Sequence, residues 1–342
     1  MGTREGAIFL MSDYGVVDEF AGVLRASVAR AAPGAPLVDL THGVPPFDVV
    51  AGARALVRCI DHLGPGVVLA VVDPGVGTDR RAVALRVAPG AAARTEVPAG
   101  PWALVGPDNG LLVAAAERLG GIREAVALPP VSPAAGAERS TFDGRDVFAP
   151  AAGRLWSGAS LDSLGEEVDP GDLVRLPEAV LAVGPGSVQA EVLWVDRFGN
   201  VQLAAHLTHA RQAGLGSDLV VEASARRFAG RLVASFADAG PGQLGVLVDA
   251  NGHLAVVADR ASAATVLGVS TGDVVVVRSG GAEVGAGVGG HRIPAAGPGG
   301  VPGGGVPGGG VPGGGVPGGG VPGGRRSAGW TGPEGPTDGE GT

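Results

Sequence analysis

Lysine is absent from this 342-residue chain, so all 25 of its basic residues are arginines. Acidic residues number 34, which leaves a formal net charge of -9 at pH 7. A chain of this charge lacks the basic surface that nucleic-acid binding requires, so we expect no nucleic-acid partner. The preference for arginine over lysine is most simply an effect of genomic base composition and carries no functional inference.

Cysteine occurs once, at Cys59, which excludes a disulfide within the chain and a metal site built from several cysteines. Its neighbours are mostly apolar, so we predict a thiol buried in the core. No apolar run approaches the roughly 18 residues that a membrane helix needs, so we expect no membrane partner. The first residues also lack the pattern of a secretory signal, and we therefore expect a soluble, cytoplasmic protein.

Aromatic residues make up only 4% of the chain and apolar residues 45%, so Val, Leu and Ala must build any core. The length is typical of about two domains. In the first half, short apolar runs alternate with segments of helical spacing. Strands are predicted at residues 7–11, 37–40, 67–72, 82–87 and 102–105, and helices at 19–30, 49–60 and 111–119. This alternation predicts an α/β domain, residues 6–170, whose mostly parallel sheet is covered on both faces.

From residue 188 onward the pattern changes to short apolar runs separated by Gly, Asn and Asp turns. Strands are predicted at residues 188–195, 201–203, 219–222, 244–248, 254–257 and 274–277. The pattern favours a small antiparallel β domain at residues 188–280, joined to the first domain by a linker at residues 171–187 that is rich in Pro and Gly.

The end of the chain is a repeat. V-P-G-G-G recurs four times from Val301 to Gly320, and V-P-G-G follows. Because this repeat cannot bury a core and its Pro-Gly steps favour turns, we predict a flexible tail at residues 293–342. A tether or a self-association segment is an alternative role for it.

Two distant segments place charged side chains beside glycines where strands are predicted to end. They are V-V-D-P-G-V-G-T-D-R at residues 71–80 and T-F-D-G-R-D at residues 141–146. Asp73, Arg80 and Asp143 could together hold one water molecule and remove its proton. An oriented and desolvated hydroxide is what a displacement on a neutral leaving group needs.

Each of these residues also has an ordinary structural interpretation. Asp73 precedes Pro-Gly and could simply cap a turn. Arg80 and Arg81 could be a solvated surface pair, although in a strand they would face opposite sides. Parallel sheets bind ligands beyond the carboxyl ends of their strands, so we expect Asp13 and Asp73, which follow two predicted strands, to converge.

Seven motifs occur in an order that resembles one known family. They are M-S-D-Y-G at 11–15, P-P-F-D-V at 45–49, V-D-P-G-V-G at 72–77, G-P-D-N-G-L-L at 106–112, T-F-D-G-R-D-V-F-A-P at 141–150, D-R-F-G-N-V at 196–201 and S-F-A-D-A at 235–239. Over residues 6–280 the chain resembles the S-adenosylmethionine hydroxide adenosyltransferases, relatives of the fluorinating and chlorinating enzymes. The resemblance implies an α/β domain, then a β-barrel-like domain, and hydrolysis of S-adenosylmethionine to adenosine and methionine. It also implies a homotrimer with sites between neighbouring subunits, and no metal or organic cofactor.

The same resemblance assigns Asp73, Arg80 and Asp143 to the attacking water, with Arg80 seven residues after Asp73 as in the family. The family usually carries His where this chain has Asp143. Aspartate has a reference pKa of about 3.9, far below that of His, although two carboxylates close together raise one of their pKa values. We therefore predict that Asp143 accepts the proton, with Arg80 damping the repulsion. The alternative is that Asp143 points away and activity is weak or lost.

The same resemblance assigns further residues to the ribose and to the methionine part of the substrate. Asp13 binds the ribose hydroxyls, which a carboxylate can accept in pairs. Phe47 stands where relatives place an aromatic ring against the ribose. Asp18 and Asp196 match acidic positions that hold the methionine ammonium group.

The adenine contacts come from the second half of the chain. Phe198 and Asn200 match the residues that stack on the base and bind it through amide hydrogen bonds, and Phe236 is a second stacking candidate. The alternative is that F-G-N is an ordinary turn and that the phenylalanines belong to the core. Asp259 and Arg260 depart from the family, which usually has smaller or amide residues at the adenine edge.

Hydrolysis is the predicted function, and two alternatives stay open. A non-catalytic binder of S-adenosylmethionine or adenosine is motivated by Asp143. A halide-using adenosyltransferase ranks lower, because those relatives replace the first carboxylate with an uncharged residue and Asp73 keeps its charge.

Two other groups of residues carry weak signals. His206 and His209 form H-L-T-H without a third ligand in view, so no metal site is predicted. Arg30, Arg54 and Arg58 are interpreted as solvated faces of helices.

Overall fold

The strands of the first half form one sheet. The computed structural model describes residues 6–87, 101–131, 141–240 and 243–280, so the predicted tail at 293–342 lies outside the described residues. The strands are β1 Ala7–Ser12, β2 Leu37–Thr41, β3 Gly66–Val71, β4 Ala82–Val87, β5 Trp102–Pro107, β6 Ile122–Leu128 and β7 Glu166–Val168. The helices are α1 Phe20–Ala31, α2 Val49–Ile60, α3 Val113–Leu119 and α4 Ala149–Trp156.

This sheet has the strand order β2-β1-β3-β5-β4-β6-β7. β1 pairs in parallel with β2 and β3, and β3 pairs in parallel with β5. β4 runs antiparallel to β5 and β6, and β7 runs antiparallel to β6. Five of the seven strands therefore share one direction, which confirms the mostly parallel sheet.

Helices cover both faces of the sheet. The side chains of β1 alternate between two cores, as the pleat of a strand requires. Phe9 and Met11 join the core beneath α2 and α3, and Ile8 and Leu10 join the core beneath α1 and α4. Helix α4 approaches α1 closely at Gly153, where an added Cβ would lie 2.5 Å from the Cβ of Ala31.

The strands of the second half close into a barrel. They are β8 Leu181–Gly184, β9 Ser187–Val195, β10 Val201–His206, β11 Asp218–Ala223, β12 Arg226–Leu232, β13 Leu244–Val248, β14 His253–Ala258 and β15 Val274–Ser279, with helices α5 Leu207–Ala213 and α6 Ala263–Leu267. The order β10-β14-β13-β12-β11-β15-β9 returns to its start because β9 also pairs with β10. β8 adds to β9 outside the closed ring of seven. All strand pairings of the barrel are antiparallel except that of β12 with β13, which confirms the predicted barrel-like domain.

The barrel packs against α2 of the first half. Arg54 on α2 donates from Nη2 to Glu191 Oε1 on β9 at 2.5 Å, and its Nη1 donates to the Leu193 carbonyl at 3.4 Å. The Arg58 guanidinium lies over the Trp194 ring, 4.8 Å from its centroid. The interpretation of Arg54 and Arg58 as a solvated helix face is therefore wrong, because the barrel covers that face.

Cys59 is half-buried and is not the core residue that the sequence predicts. Leu56 and Ile60 take the positions of α2 that face the sheet, and Cys59 lies beside that stripe. Partial burial still raises the pKa of its thiol. Within the described residues, no helix has both the length and the apolar character to cross a membrane.

Candidate active site

Two neighbouring strand ends bring Asp13 and Asp73 to the same edge of the sheet. β1 and β3 run in parallel with Ser12 opposite Val71. The Asp13 N–H donates to the Val71 carbonyl at 3.3 Å, which extends this pairing beyond β1. The expected convergence is therefore confirmed, and such an edge is where parallel sheets bind ligands.

The loop after β3 folds back so that Arg80 meets Asp73. The Thr78 hydroxyl donates to the Gly75 carbonyl at 2.7 Å, and Gly77 turns the chain with a φ of 79°, which glycine adopts without strain. Arg80 Nε donates to Asp73 Oδ1 at 3.1 Å, and Arg80 Nη2 donates to Asp73 Oδ2. This two-point pair fixes the orientation of both side chains.

Asp143 reaches the same guanidinium from a distant segment. It directly precedes a turn of π-helix at Gly144–Phe148. Arg80 Nη2 donates to Asp143 Oδ2 at 2.7 Å, so one guanidinium bridges two carboxylates. We call Asp73, Arg80 and Asp143 the carboxylate–arginine cluster. Asp143 faces Arg80 and does not point away.

The carboxylate–arginine cluster is shielded from water. The side chains of Asp73, Arg80 and Asp143 are 5%, 9% and 16% exposed. Arg80 Nη1 is buried and has no acceptor among the described residues. A cavity of about 220 Å³ opens beside Arg80 and Asp143 and is lined on its apolar side by Leu128 and Val147. An unpaired buried N–H beside two carboxylates is a ready site for a polar molecule such as water.

Burial raises the pKa of Asp73 above its ordinary value. The charge and hydrogen bonds of Arg80 lower that pKa, and the charge of Asp143 raises it, so the net direction is upward. A raised pKa makes Asp73 a stronger base than an exposed aspartate, and Arg80 still favours its ionised form.

Tyr14, the only tyrosine in the chain, lies against this cluster and carries no predicted role. Its ring packs edge-on against Phe142, with centroids 5.5 Å apart. Its hydroxyl fills the space beside Gly144, where an added Cβ would lie 2.4 Å from Tyr14 Oη. Burial and the surrounding carboxylates raise the pKa of Tyr14, so it stays neutral. The M-S-D-Y-G motif contains this residue, and only the contact with the T-F-D-G-R-D segment gives it a place in the site.

Arg81 serves a different part of the structure. Its Nε donates to Asp108 Oδ2 at 2.8 Å, and its Nη2 donates to the Asp172 carbonyl at 2.6 Å. Asp108 directly follows β5 and is buried. The two neighbouring arginines thus point to different partners, although both precede the first residue of β4, Ala82.

Asp13 holds the backbone that carries Phe47. The Phe47 N–H donates to Asp13 Oδ2 at 2.9 Å, and Asp13 Oδ1 has no partner within the described part of the chain. Phe47 has a φ of 66°, a left-handed conformation that is costly for a residue with a Cβ. Its side chain is 72% exposed. This strained backbone presents an aromatic ring to solvent beside a free carboxylate oxygen, which is the arrangement expected of a ribose contact.

Asp18 lies in an exposed loop between β1 and α1. Its neighbours Val16 and Val17 are 83% and 95% exposed, so this loop presents apolar side chains to solvent as well as a carboxylate. Large exposed apolar groups next to a ligand edge are typical of a surface that another molecule covers.

Asp196 organises the barrel loop between β9 and β10. Its Oδ1 accepts from the backbone N–H groups of Phe198 and Asn200 at 2.8 and 2.9 Å. Its Oδ2 accepts from Asn200 Nδ2 at 2.8 Å. The loop is therefore pre-shaped, and it leaves Phe198 72% exposed. Binding of an ammonium group by Asp196 stays a prediction beside this structural role.

Two further barrel residues lie at the surface. Phe236 begins a short 3₁₀ turn at Phe236–Ala239, and it is 51% exposed, so it is not part of the core. Arg260, one of the two departures from the family pattern, has a φ of 52° and a side chain that is 92% exposed. We call the segments around Phe198 and Phe236 the barrel loops.

Within the described residues, no hydrogen bond joins the two halves of the predicted site. Across the described residues, the hydrogen bonds of Asp196 and Asn200 remain inside the barrel, and those of Asp13, Asp73 and Asp143 remain inside the α/β half. Exposed aromatic rings therefore stand on both halves, with Phe47 on the α/β half and Phe198 and Phe236 on the barrel.

His206 and His209 acquire a neighbour that the sequence did not indicate. His253 on β14 lies against His206, with ring centroids 4.1 Å apart and ring planes tilted by 34°. The Nδ1 atoms of His206 and His253 bond to the carbonyls of Gly252 and Leu203 at 2.9 and 3.0 Å. In the parts of the chain that the structure describes, no three His, Cys, Asp or Glu side chains are arranged to hold a metal ion.

Comparison with known families agrees with this division of the chain. Residues 8–165 match the SAM hydroxide adenosyltransferase N-terminal domain, and residues 190–276 match the SAM hydroxide adenosyltransferase C-terminal domain. The two matches correspond to the sheet and to the barrel.

Individual relatives give the same picture over most of the chain. An (R)-S-adenosyl-L-methionine hydrolase from Salinispora tropica is 43% identical over 273 residues, which cover 80% of this chain and 98% of the relative. A fluorinase from Actinoplanes sp. is 29% identical over 290 residues, covering 79% and 96%. The crystal structure of an uncharacterized conserved protein from Thermotoga maritima matches with a TM-score of 0.69 and 29% identity, covering 79% of this chain and 99% of that chain. The chain therefore belongs to the SAM hydroxide adenosyltransferase family.

Proposed function

We propose that this protein is a hydrolase that splits S-adenosylmethionine into adenosine and methionine. The observation that carries the proposal is the buried Arg80 guanidinium, which holds two carboxylates and keeps one N–H group unpaired. The 43% identical relative named as an (R)-S-adenosyl-L-methionine hydrolase supports it.

The reaction is a displacement at the ribose 5′ carbon. A water oxygen forms the new bond to that carbon while the bond from carbon to sulfur breaks. The sulfur takes the electron pair and loses its positive charge, so methionine leaves as a neutral thioether and needs no general acid. The attacking water loses a proton, which the protein must accept.

The carboxylate–arginine cluster binds the attacking water and accepts its proton. Arg80 Nη1 offers a hydrogen bond to the water oxygen, and its charge stabilises the developing hydroxide. The proton passes to the carboxylate pair, in which Asp73 has a raised pKa and Asp143 stands where the family usually has His. Orientation of bound reactants contributes up to about 7–11 kcal/mol in favourable cases, and a positioned base adds about 10²–10⁴-fold in rate.

Substrate binding needs both halves of the chain. Asp13 and Phe47 bind the ribose, Asp18 and Asp196 hold the methionine ammonium group, and adenine stacks in the barrel loops. No hydrogen bond joins these halves within the described residues of one copy, and the family resemblance implies sites between subunits. The proposal therefore includes a homotrimer in which the sheet edge of one copy faces the barrel loops of the next. No cofactor takes part. A cytoplasmic location stays a prediction of the sequence.

A halide-using reaction is the weaker candidate. The 29% identical fluorinase shows that halide chemistry exists among the relatives. An anion within about 4 Å of ionised Asp73 would be opposed by on the order of 4 kcal/mol at an intermediate effective dielectric. A neutral water molecule meets no such opposition.

The test uses S-adenosylmethionine in water labelled with heavy oxygen. We expect adenosine and methionine in equal amounts, with one label on the 5′ oxygen of each adenosine by mass spectrometry. Adenosine without label would refute attack at that carbon. Calorimetric binding without product would establish the non-catalytic binder instead, and chloride-dependent formation of a chlorinated nucleoside would establish the halide reaction.

A further inference from the structure

A second cavity lies at the junction of the two halves, away from the carboxylate–arginine cluster. Its volume is about 390 Å³, which is within the range of small-molecule sites. One wall comes from α2 and α3, the second from residues 175–179, and the third from β9, β10 and β14. No residue assigned to the reaction or to substrate binding lines it.

Most of the cavity wall is apolar. The apolar lining residues are Val50, Ala53, Val57, Val113, Ala114, Leu176, Pro177, Ala179 and Leu193. The wall therefore favours a ligand with an aliphatic body, which would lose its contact with water on binding.

Three arginines also line the cavity, and two of them are paired. Arg54 is bound to Glu191 at 2.5 Å, and Arg175 lies 3.5 Å from Glu117. Arg58 differs, because among the described residues its guanidinium makes no hydrogen bond or ion pair and instead lies over the Trp194 ring. Burial accordingly lowers the pKa of Arg58.

The carboxylate whose charge favours the ionised form of Arg58, that of Asp249, already accepts hydrogen bonds through both of its oxygens. Asp249 lowers the cost of the Arg58 charge from a distance. Its Oδ1 accepts from the N–H groups of Asn251 and His253, each at 2.9 Å, and its Oδ2 accepts from Gln202 Nε2. The Arg58 donors are thus left for a group inside the cavity.

The Trp194 ring supports the Arg58 guanidinium, whose Cζ lies over the ring at 4.8 Å from its centroid. A contact with the face of a ring leaves the N–H donors of an arginine free for a separate acceptor. A planar guanidinium edge suits the two oxygens of a carboxylate. Glu117 and Glu178 also line the cavity, and their charge disfavours a ligand with two negative charges.

We propose that this cavity is a binding site for a small monocarboxylate with an aliphatic body, whose carboxylate pairs with Arg58 and whose body lies along α2, α3 and residues 175–179. The site is separate from the reaction and does not depend on the proposed function. Its ligand is recognised by one negative charge and one apolar segment.

Isothermal titration calorimetry of the full chain with hexanoate tests this site. We expect saturable binding with one ligand per chain, and none with hexanamide, which has the same body without the charge. Arg58→Gln should weaken hexanoate binding about tenfold or more, because a charge-assisted pair is lost. Arg30→Gln removes an exposed arginine at the end of α1 and should leave binding unchanged.

A second variant tests the apolar wall while keeping the charge. Ala114 is exposed on α3 and lines the cavity, so Ala114→Phe should fill it and abolish hexanoate binding without unfolding the protein. Thermal unfolding of each variant checks its fold. Equal hexanoate affinity in Arg58→Gln and the parent, or no saturable binding to the parent, would overturn the proposal. Phosphate binding as tight as hexanoate binding and unaffected by Ala114→Phe would overturn the monocarboxylate class.

Discussion

The carboxylate–arginine cluster and the barrel loops differ in how complete they are within one chain. In the cluster, side chains that are 5–16% exposed pair with one another, and among the described residues one buried N–H group of Arg80 has no acceptor. In the barrel loops, hydrogen bonds shape the backbone, but Phe198 and Phe236 are 72% and 51% exposed. One chain therefore assembles the groups that we propose to move a proton, and it leaves the aromatic rings proposed to bind adenine exposed.

This difference has a physical basis. Ionised groups act strongly only where water is excluded, so a reacting cluster must be buried in every copy of the protein. Aromatic rings that bind by stacking gain their energy when they are covered, and a second copy with its substrate can cover them. Under the proposed function, the chemistry belongs to the buried cluster of one chain, and substrate binding is shared with a neighbouring chain.

Removal of the Asp73 charge should have the largest effect, because it disables the carboxylate–arginine cluster. Asp73→Asn keeps the shape of the side chain and removes the base, so we expect turnover to fall by about 10²–10⁴-fold. The fold should stay intact, because Asp143 still pairs with Arg80. Steady-state release of adenosine measures the effect. Asp162→Asn, at an exposed loop position, is the matched control, and an equal loss there would contradict a specific role for Asp73.

Loss of one aromatic ring from the barrel loops should weaken substrate binding, which is the role that the comparison assigns to these loops. Phe198→Ala should raise KM by about 10- to 100-fold with less change in kcat, because a stacking contact with a base is worth about 1–3 kcal/mol. Val274→Ala, an exposed apolar position on β15, should leave KM unchanged. A fall in kcat alone would argue against a binding role for Phe198.

Mixed oligomers sharpen the comparison directly. Asp73→Asn and Phe198→Ala copies are mixed in equal amounts and assembled together. If each site takes Asp73 from one copy and Phe198 from the next, about a quarter of the sites should contain both intact residues. Activity at low substrate should then exceed the mean of the two separate variants. Activity equal to that mean would place both residues in one chain's own site.

Asp143 tests how much the second carboxylate contributes. Asp143→Asn should lower turnover by about tenfold to a hundredfold, less than Asp73→Asn, because Asp73 remains as a base. Asp143→His restores the residue usual in the family and should retain turnover. If both variants turn over at the parent rate, Asp143 has no part in handling the proton.

The pH dependence is the smallest effect and concerns the burial of Asp73. Its pKa is raised, so kcat/KM should fall as the pH decreases through a value above the ordinary aspartate pKa of about 3.9.

The contribution of Asp73 to the free energy of unfolding should instead increase as the pH decreases. Because the folded pKa exceeds the unfolded one, the ionised form costs stability above the folded pKa, and that cost is relieved as the pH falls through it. The free energy of unfolding, measured against pH, should show this gain at low pH in the parent and not in Asp73→Asn. If the variant shows the same gain, a group other than Asp73 causes it.

Local sequence pattern predicted most of the elements. The bounds of α2, β4 and β13 are those that the hydrophobic pattern predicts, because their apolar residues follow a single period. Strand β12, Arg226–Leu232, was missed because exposed arginines and a glycine interrupt its alternation. Helix α4 was missed because its A-P-A-A-G-R-L-W sequence is rich in small residues, whose place against α1 depends on the packing.

The sequence by itself determined the two-part architecture, the strand ends that carry Asp13 and Asp73, and the candidate residues of the cluster. Only the tertiary structure decided that Asp143 faces Arg80 and that Tyr14 lies against them. It also decided that the barrel covers the arginine face of α2 and forms a cavity there, in which Arg58 has no ion pair within the described residues. The reason is the range of the interactions. Periodicity and turn chemistry act over a few neighbouring residues, whereas the burial, charge pairing and pKa of a side chain depend on segments that only folding brings into contact.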